Sequence, residues 1–392
     1  MISIYGRIFL GFVIINLMFF CINSKTAIAA GTDTVPNANL PAALTDSLNL
    51  NDLSRFIENL DRETADYLPR LDPKSWGLTG PDWDMKRLGK GILEYFLKEL
   101  VFNFKILGEL LLLVMALAIL QNLKHAFESE TISQIAFGIC FLVVMSIVLN
   151  SFRVMFLITH GALTEMTNFM YAITPLLFSL ITAGGGVTTT TVVHPLLISM
   201  VTMIGGVISN FVFPLIMFAG ILGFVNYLFE GFQINKLANL LKTIALGILG
   251  LAMVIFIGII TIKGFAASVA DSTVLRTAKY FSNALPVVGG VLSDTMEMTA
   301  GCSLILKSGI GIYGLGLVIL ITVFPLIKIL AVSLIYQISG AISQPLGNKQ
   351  FSDALQTVGG TFLNLFGVLA VVGLMFFIAI SVLVGVANFG GR

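Results

Sequence analysis

The sequence predicts an all-α, multi-pass membrane protein with about six to eight transmembrane helices, two short re-entrant or interfacial segments and a degenerate internal repeat. Three observations predict it. Of 392 residues, 57% are hydrophobic and only 11% are charged, against roughly 25% charged in a soluble domain. That deficit runs from Phe102 to the C-terminus, a stretch larger than any water-soluble core accommodates. The word Val212-Phe-Pro-Leu-Ile216 recurs as Val323-Phe-Pro-Leu-Ile327, 111 positions later, and Pro175 and Pro286 each stand 39 positions before the proline of one copy. We read a tandem repeat of this period with candidate hinges at Pro175, Pro214, Pro286 and Pro325. The net charge of +1 points to no nucleic-acid partner, and the three cysteines offer neither a disulfide framework nor metal-ligand spacing.

Residues 1–29 read as a secretory signal. Arg7 is the basic region, Ile8 to Ile22 is an apolar run too short for a comfortable span, and Ala27-Ile-Ala29 places cleavage after Ala29. An uncleaved anchor is the alternative. Either reading puts residues 30–100 outside the cytoplasm. Within them Gly31 to Pro41 is a linker. Leu53, Phe56, Ile57 and Leu60 follow helical spacing, with Asn51 or Asp52 as N-cap, in a helix that stops before Pro69. That stripe either packs on the membrane domain or binds a partner. Trp76 and Trp83, set in a loop with Pro73, Gly77, Gly80 and Pro81, suit a membrane–water interface.

Residues 101–130 hold the first span, placed near 104–122 and approached by an amphipathic stretch from Lys86 to Lys105. The basic residues ahead of it favour a cytoplasmic start, whereas a secretory leader puts them outside. The leader acts first and decides. Glu109 is expected to pair locally with Lys105, four residues away.

Repeat one occupies 131–241. Ile135 to Ile158 is a span carrying Arg153, and Gly161 to Thr174 is an interfacial helix with Glu165 and Asn168 opposite Leu163, Met166 and Met170. Pro175 to Ile181 is too short to cross a core about 30 Å thick and is read as re-entrant. Val192 to Phe229, interrupted at Pro214, is read as a broken helix or hairpin. Gly231 to Lys242 is a polar connection. Repeat two, with the last span, occupies 242–392. It runs through a span (Thr243 to Ile262), an amphipathic helix (Ala266 to Leu285), a second short piece (Pro286 to Val291), a long pair from Ser303 to Ile338 broken at Pro325, and a final span from Phe362 to Val386. An odd number of crossings between equivalent points inverts the second copy, and an even number leaves the copies parallel.

Chemical motifs are sparse. Gly309-Ile-Gly-Ile-Tyr-Gly314 has the GxGxxG form but follows no strand, so its glycines are assigned to close helix packing. No phosphate-binding loop, HExxH or GxSxG is present, and His194 before Pro195 reads as a helix start rather than a proton relay. No enzyme, catalytic residue, metal or cofactor is expected. What remains are intramembrane charges: Glu109, Arg153, Lys263, Asp294, Glu297, Lys307 and Lys328. Each costs at least about 2.5 kcal/mol at mid-bilayer unless compensated. Lys328 with Asp294 or Glu297 is the expected pair, and Lys263 and Lys307 suit snorkelling from span ends.

Several stretches, in their order and spacing, resemble the stage III sporulation protein AE family. They include Tyr67-Leu-Pro69, Leu120-Gln-Asn-Leu with His125-Ala-Phe127, Leu149-Asn-Ser-Phe152, Gly185-Gly-Val with His194-Pro195, Leu237-Ala-Asn-Leu-Leu-Lys242, Leu275-Arg-Thr-Ala-Lys279, Pro286-Val-Val-Gly289, Phe324-Pro-Leu-Ile-Lys328 and Gln344-Pro-Leu-Gly347. The resemblance implies a subunit of a channel or secretion complex in the mother-cell membrane facing the forespore, needed for late forespore gene expression. It implies partners too: an ATPase, ring-forming bitopic proteins and a forespore-membrane protein. A stand-alone secondary transporter built on the repeats is the competing reading.

Overall fold

Backbone amides and carbonyls inside a bilayer have no water to bond, so long apolar runs must close their hydrogen bonds within helices. A computed structural model describes residues 51–60, 62–69, 81, 83–127, 130–227, 234–283, 289–346 and 349–386. Among these every regular element is helical: α1 (Asn51–Glu58), α2 (Arg62–Ala65), α3 (Met85–Phe127), α4 (Glu130–Ala183), α5 (Val187–Val207), α6 (Phe213–Val225), α7 (Asn235–Asn283), α8 (Gly289–Ser343) and α9 (Lys349–Val386). The leader with Ala29, the linker, Trp76 and Pro286 lie outside the described residues.

Five helical stretches among the described residues are long and apolar enough to cross a membrane: Gly138–Ala183, Val187–Val225, Asn235–Val274, Ser303–Ser343 and Lys349–Gly385. The shortest has 37 residues and the longest 46, which is roughly 55–70 Å of helix. Even a tilt of about 40° leaves each longer than a hydrocarbon core of about 30 Å. Part of every helix therefore stands outside the hydrocarbon layer.

The sequence divided these stretches too finely. The span, interfacial helix and re-entrant piece expected between Ile135 and Ile181 form one helix, α4, with Pro175 inside it. An interior proline costs about 3 kcal/mol. Here Leu176, Leu177, Phe178, Leu180 and Ile181 are all buried just beyond it, and their packing outweighs that cost. The predicted faces are right: Leu163, Met166 and Met170 are buried while Asn168 is exposed. Likewise the span and amphipathic helix expected from Thr243 to Leu285 merge into α7, and α8 runs unbroken through Pro325.

The interruption at Pro214 takes a different form. Residues Ile208–Val212 make a π-helical turn joining α5 to α6, with the Phe213 amide donating to the Ile208 carbonyl. The wider turn re-satisfies carbonyls that proline, lacking an N–H, leaves open. The stretch is thus one bulged helix rather than a hairpin.

The true reversal comes earlier, between α4 and α5. Gly185 has φ 91°, the Gly186 amide donates to the Ile181 carbonyl at 2.8 Å and the Gly185 amide to Thr182 at 2.9 Å. This is a glycine-closed helix end, and it sends α5 back along α4.

Contacts at glycines fix the helix directions. A Cβ at Gly311 would lie 2.2 Å from Val384, and one at Gly373 would lie 2.5 Å from Thr322, so α8 and α9 are antiparallel. Gly220 against Thr361 and Gly223 against Thr357 make α6 antiparallel to α9 as well. Hence α6 and α8 run the same way, and the two copies of Val-Phe-Pro-Leu-Ile point in one direction. The two words are therefore not inverted relative to each other. Each word sits mid-helix, so the flanking segments are halves of helices and only α7 reverses the chain between them.

The core is built around α8 and α9, the two most buried candidate spans, which share the largest helix–helix contact. Onto it docks the N-terminal segment. Leu53 and Leu60 are buried, Phe56 and Ile57 pack against the core, and the Phe56 ring lies 5.5 Å from that of Phe169 of α4 at a tilt of 49°. The apolar stripe of α1 is spent on self-packing.

Candidate functional site

Three features stand out: two clusters of polar groups in an apolar interior and one uncovered apolar face.

The first lies near the α8–α9 turn. Ser333-x-x-x-Gln337-x-x-Gly340 on α8 matches Ser352-x-x-x-Gln356-x-x-Gly359 on α9. Ser333 Oγ donates to the Gly359 carbonyl and Ser352 Oγ to the Gly340 carbonyl, each at 2.7 Å. A Cβ at Gly340 would meet the Ser352 carbonyl at 3.0 Å, and one at Gly359 the Ser333 carbonyl at 3.0 Å. The antiparallel helices are clasped by a local two-fold arrangement, with small residues permitting close backbones and serines bonding across. Beside it Tyr336, fully buried, donates to Ser151 Oγ of α4 at 2.7 Å. Polar groups here are satisfied.

The second set lies at the other end of α8. Gly184 at the α4–α5 turn faces Ser303, whose Cβ is 3.8 Å from where a glycine Cβ would be. Ser303 and Lys307, one turn apart, are each 1% exposed. Neither Ser303 Oγ nor Lys307 Nζ has a hydrogen-bond partner among the described residues. The snorkelling expected of Lys307 is therefore wrong: its face of α8 points inward, whereas Lys263 on α7 is exposed. Nearby, Asp271 of α7, buried, accepts from the Thr188 amide at 2.7 Å and the Thr189 amide at 2.9 Å. Its negative charge caps the positive N-terminus of α5, so both carboxylate oxygens are occupied. Three glycines of the GxGxxG stretch and its neighbour admit side chains from different elements: Gly311 takes Val384, Gly314 takes Ile173 and Gly316 takes Trp83. Trp83 lies against mid-α8 beside Tyr313, with ring centroids 6.1 Å apart.

The third set is on the outside of α3. Its inner face packs Tyr95 edge-on to Phe324 at 4.9 Å. Its outer face displays Leu93, Leu97, Val101, Phe104, Leu112, Met115 and Ile119, all more than half exposed, with open space over Gly108 on the same line. Steps of four, four and three give an 11-residue period, the geometry of a right-handed helix pairing. The upper part of this stripe is flanked by the exposed ion pairs Lys90–Glu94 at 3.5 Å and Lys105–Glu109 at 3.8 Å. Charges of this kind are costly in hydrocarbon.

Of the residues singled out from sequence, Glu109 pairs with Lys105 as expected. Arg153 is exposed on α4. Lys328 is half-buried, with Nζ 5.9 Å from the Tyr95 ring centroid, a cation–π contact. Asp294 and Glu297 share the continuous helix α8 with Lys328, 31 or more residues away, so roughly 45–50 Å of helix rise separates them. The proposed pair cannot form within one chain. The side chains of Asp294 and Glu297 lie outside the described set. Sequence reasoning missed Asp271, Lys307 as a buried group, and the serine clasp, although the repeated S-x3-Q-x2-G spacing was visible.

Among the described residues no group of three or more His, Cys, Asp or Glu side chains is placed to hold a metal ion. The family model described as stage III sporulation protein AE matches residues 79–387. Stage III sporulation protein AE of Bacillus subtilis (strain 168) is 37% identical over 300 residues, covering 76% of this chain and 75% of that protein. No solved structure matches. The chain belongs to the stage III sporulation protein AE family. Membership gives it a role in sporulation and an association with other stage III sporulation proteins.

Proposed function

We propose that this member of the stage III sporulation protein AE family is a membrane subunit of a channel or secretion complex between mother cell and forespore, and that it performs no chemistry itself. The observation that carries the reading is the outer face of α3. An exposed apolar stripe more than twenty residues long, bordered at one end by charges, suits a protein partner better than lipid. The partner is a helix of a bitopic protein of the complex, packed right-handed along Leu93 to Ile119. The N-terminal segment lies on the extracytoplasmic side of the mother-cell membrane, where such a partner presents its own soluble part. Energy comes from a separate ATPase, consistent with a sequence that lacks a phosphate-binding loop. The complex sustains late gene expression in the forespore. A duplicated origin of α4–α6 and α7–α8 is supported by the shared word and its common direction.

Affinity purification of the tagged full chain from mildly solubilised sporulating cells tests this. The ATPase and ring-forming bitopic proteins should co-purify with the wild type, and Leu97→Lys with Val101→Lys should lose the bitopic proteins while the subunit stays in the membrane. Recovery of a lone, stable oligomer favours the self-sufficient transporter.

A further inference from the structure

We propose that Lys307 and Ser303 form a buried binding site for a small monovalent anion, at the end of the bundle where α4 turns into α5. Two side chains set it. They stand four residues apart, hence on one face of α8. A long helical side chain leans back toward the N-terminus of its helix, which carries the Lys307 ammonium toward the turn holding Ser303. Both residues are 1% exposed. Yet neither polar atom bonds the other, nor any described residue. The glycine turn lies against Ser303, where a Cβ at Gly184 would stand 3.8 Å from the Ser303 Cβ.

Both groups donate hydrogen bonds, and one carries a positive charge. Among the described side chains, the nearby carboxylate of Asp271 already has an amide on each oxygen. An acceptor with negative charge, small enough to sit between an ammonium and a hydroxyl one helical turn apart, satisfies both. A halide such as chloride fits that description. A bound ion or water is one established reason for a buried polar atom to lack a partner within the chain. The other half of α8 supplies the contrast: Ser333, Tyr336, Ser339 and Ser343 are all buried and all bonded.

The site is independent of complex membership and is tested on the purified full chain. Thermal unfolding in detergent is followed while chloride replaces gluconate at constant ionic strength. The wild-type midpoint should rise with chloride concentration. Lys307→Met should be insensitive to chloride and at least as stable as the wild type in gluconate, because it removes a buried amine that has no hydrogen-bond partner among the described residues. Ser303→Ala should keep the response with an apparent affinity about tenfold weaker, the loss of one hydrogen bond to an ion. A wild type that ignores chloride, or a Lys307→Met variant that responds as the wild type does, overturns the site. Should Lys307→Met fail to accumulate, Ser303→Ala decides: an unchanged chloride midpoint overturns the proposal too.

Discussion

Replacing Asp271 by alanine should loosen the start of α5 and little else. Asp271 reaches across from α7 to two amides at the first turn of α5. A hydrogen bond to a charged group contributes about 1.5–3 kcal/mol, so two could approach 6 kcal/mol. The upper end does not apply. Thr188 is half-buried, and water recovers part of its bond once the carboxylate has gone. Thr189 is buried and its amide is left bare, a penalty of about 1–3 kcal/mol. Loss of the charge at the helix N-terminus adds about 1 kcal/mol. The sum is about 2–4 kcal/mol for Asp271→Ala. Asp271→Asn keeps one acceptor and should lose roughly half of that. Hydrogen exchange of the peptide covering Gly184 to Val192 reads the effect directly. Every 1.4 kcal/mol is about a factor of ten in the opening equilibrium, so alanine should accelerate exchange there by about 30-fold or more, and asparagine by about tenfold. The clasp around Ser333 and Ser352 should exchange at its wild-type rate. Equal exchange in wild type and both variants, or acceleration spread evenly over α5 to α9, would show that this carboxylate does not anchor the turn.

Two further outcomes follow from the packing. Gly316→Val should expel Trp83, since a Cβ there would lie 2.1 Å from the indole, and tryptophan emission should shift to the red; unshifted emission contradicts the docking of Trp83 on α8. Ser333→Ala and Ser352→Ala should each destabilise the protein by about 1 kcal/mol, and a double-mutant cycle in detergent unfolding should show them coupled, because both bonds close the same pair of helices; strict additivity argues against the clasp.

Much of the architecture was legible from local chemistry. The apolar stripe from Leu53 to Leu60, the inward set Leu163, Met166 and Met170, and the pair Lys105–Glu109 needed only helical periodicity. The division into segments was not legible. Proline usually ends helices, and Pro175 and Pro325 read as breaks until the buried residues packed around them showed why the helices continue. Length was the second trap. Spans were sized to one hydrocarbon core, so α4, α7 and α8 were each cut in two or more, and the cut separated Lys328 from Asp294 and Glu297 as though they lay on different helices. Lys307 illustrates the third limit. A lysine near the end of an apolar run looks like a snorkelling residue, and only its neighbours reveal which face it occupies. Asp271 belongs to the same kind: its partners lie more than eighty positions away and leave no local trace. The exposed line from Leu93 to Ile119 was hidden because both faces of α3 are apolar, and packing alone shows which is left uncovered.

The most direct test of the account asks what lies against that uncovered face in living cells. A photo-reactive amino acid placed at Leu97, Val101 or Phe104 in sporulating cells should form adducts identified by mass spectrometry as another stage III sporulation protein with a single transmembrane helix. The same probe at Ile92 or Tyr95, on the inner face, should form none. Adducts to lipid alone from the outer positions would contradict the reading of this chain as a docked subunit.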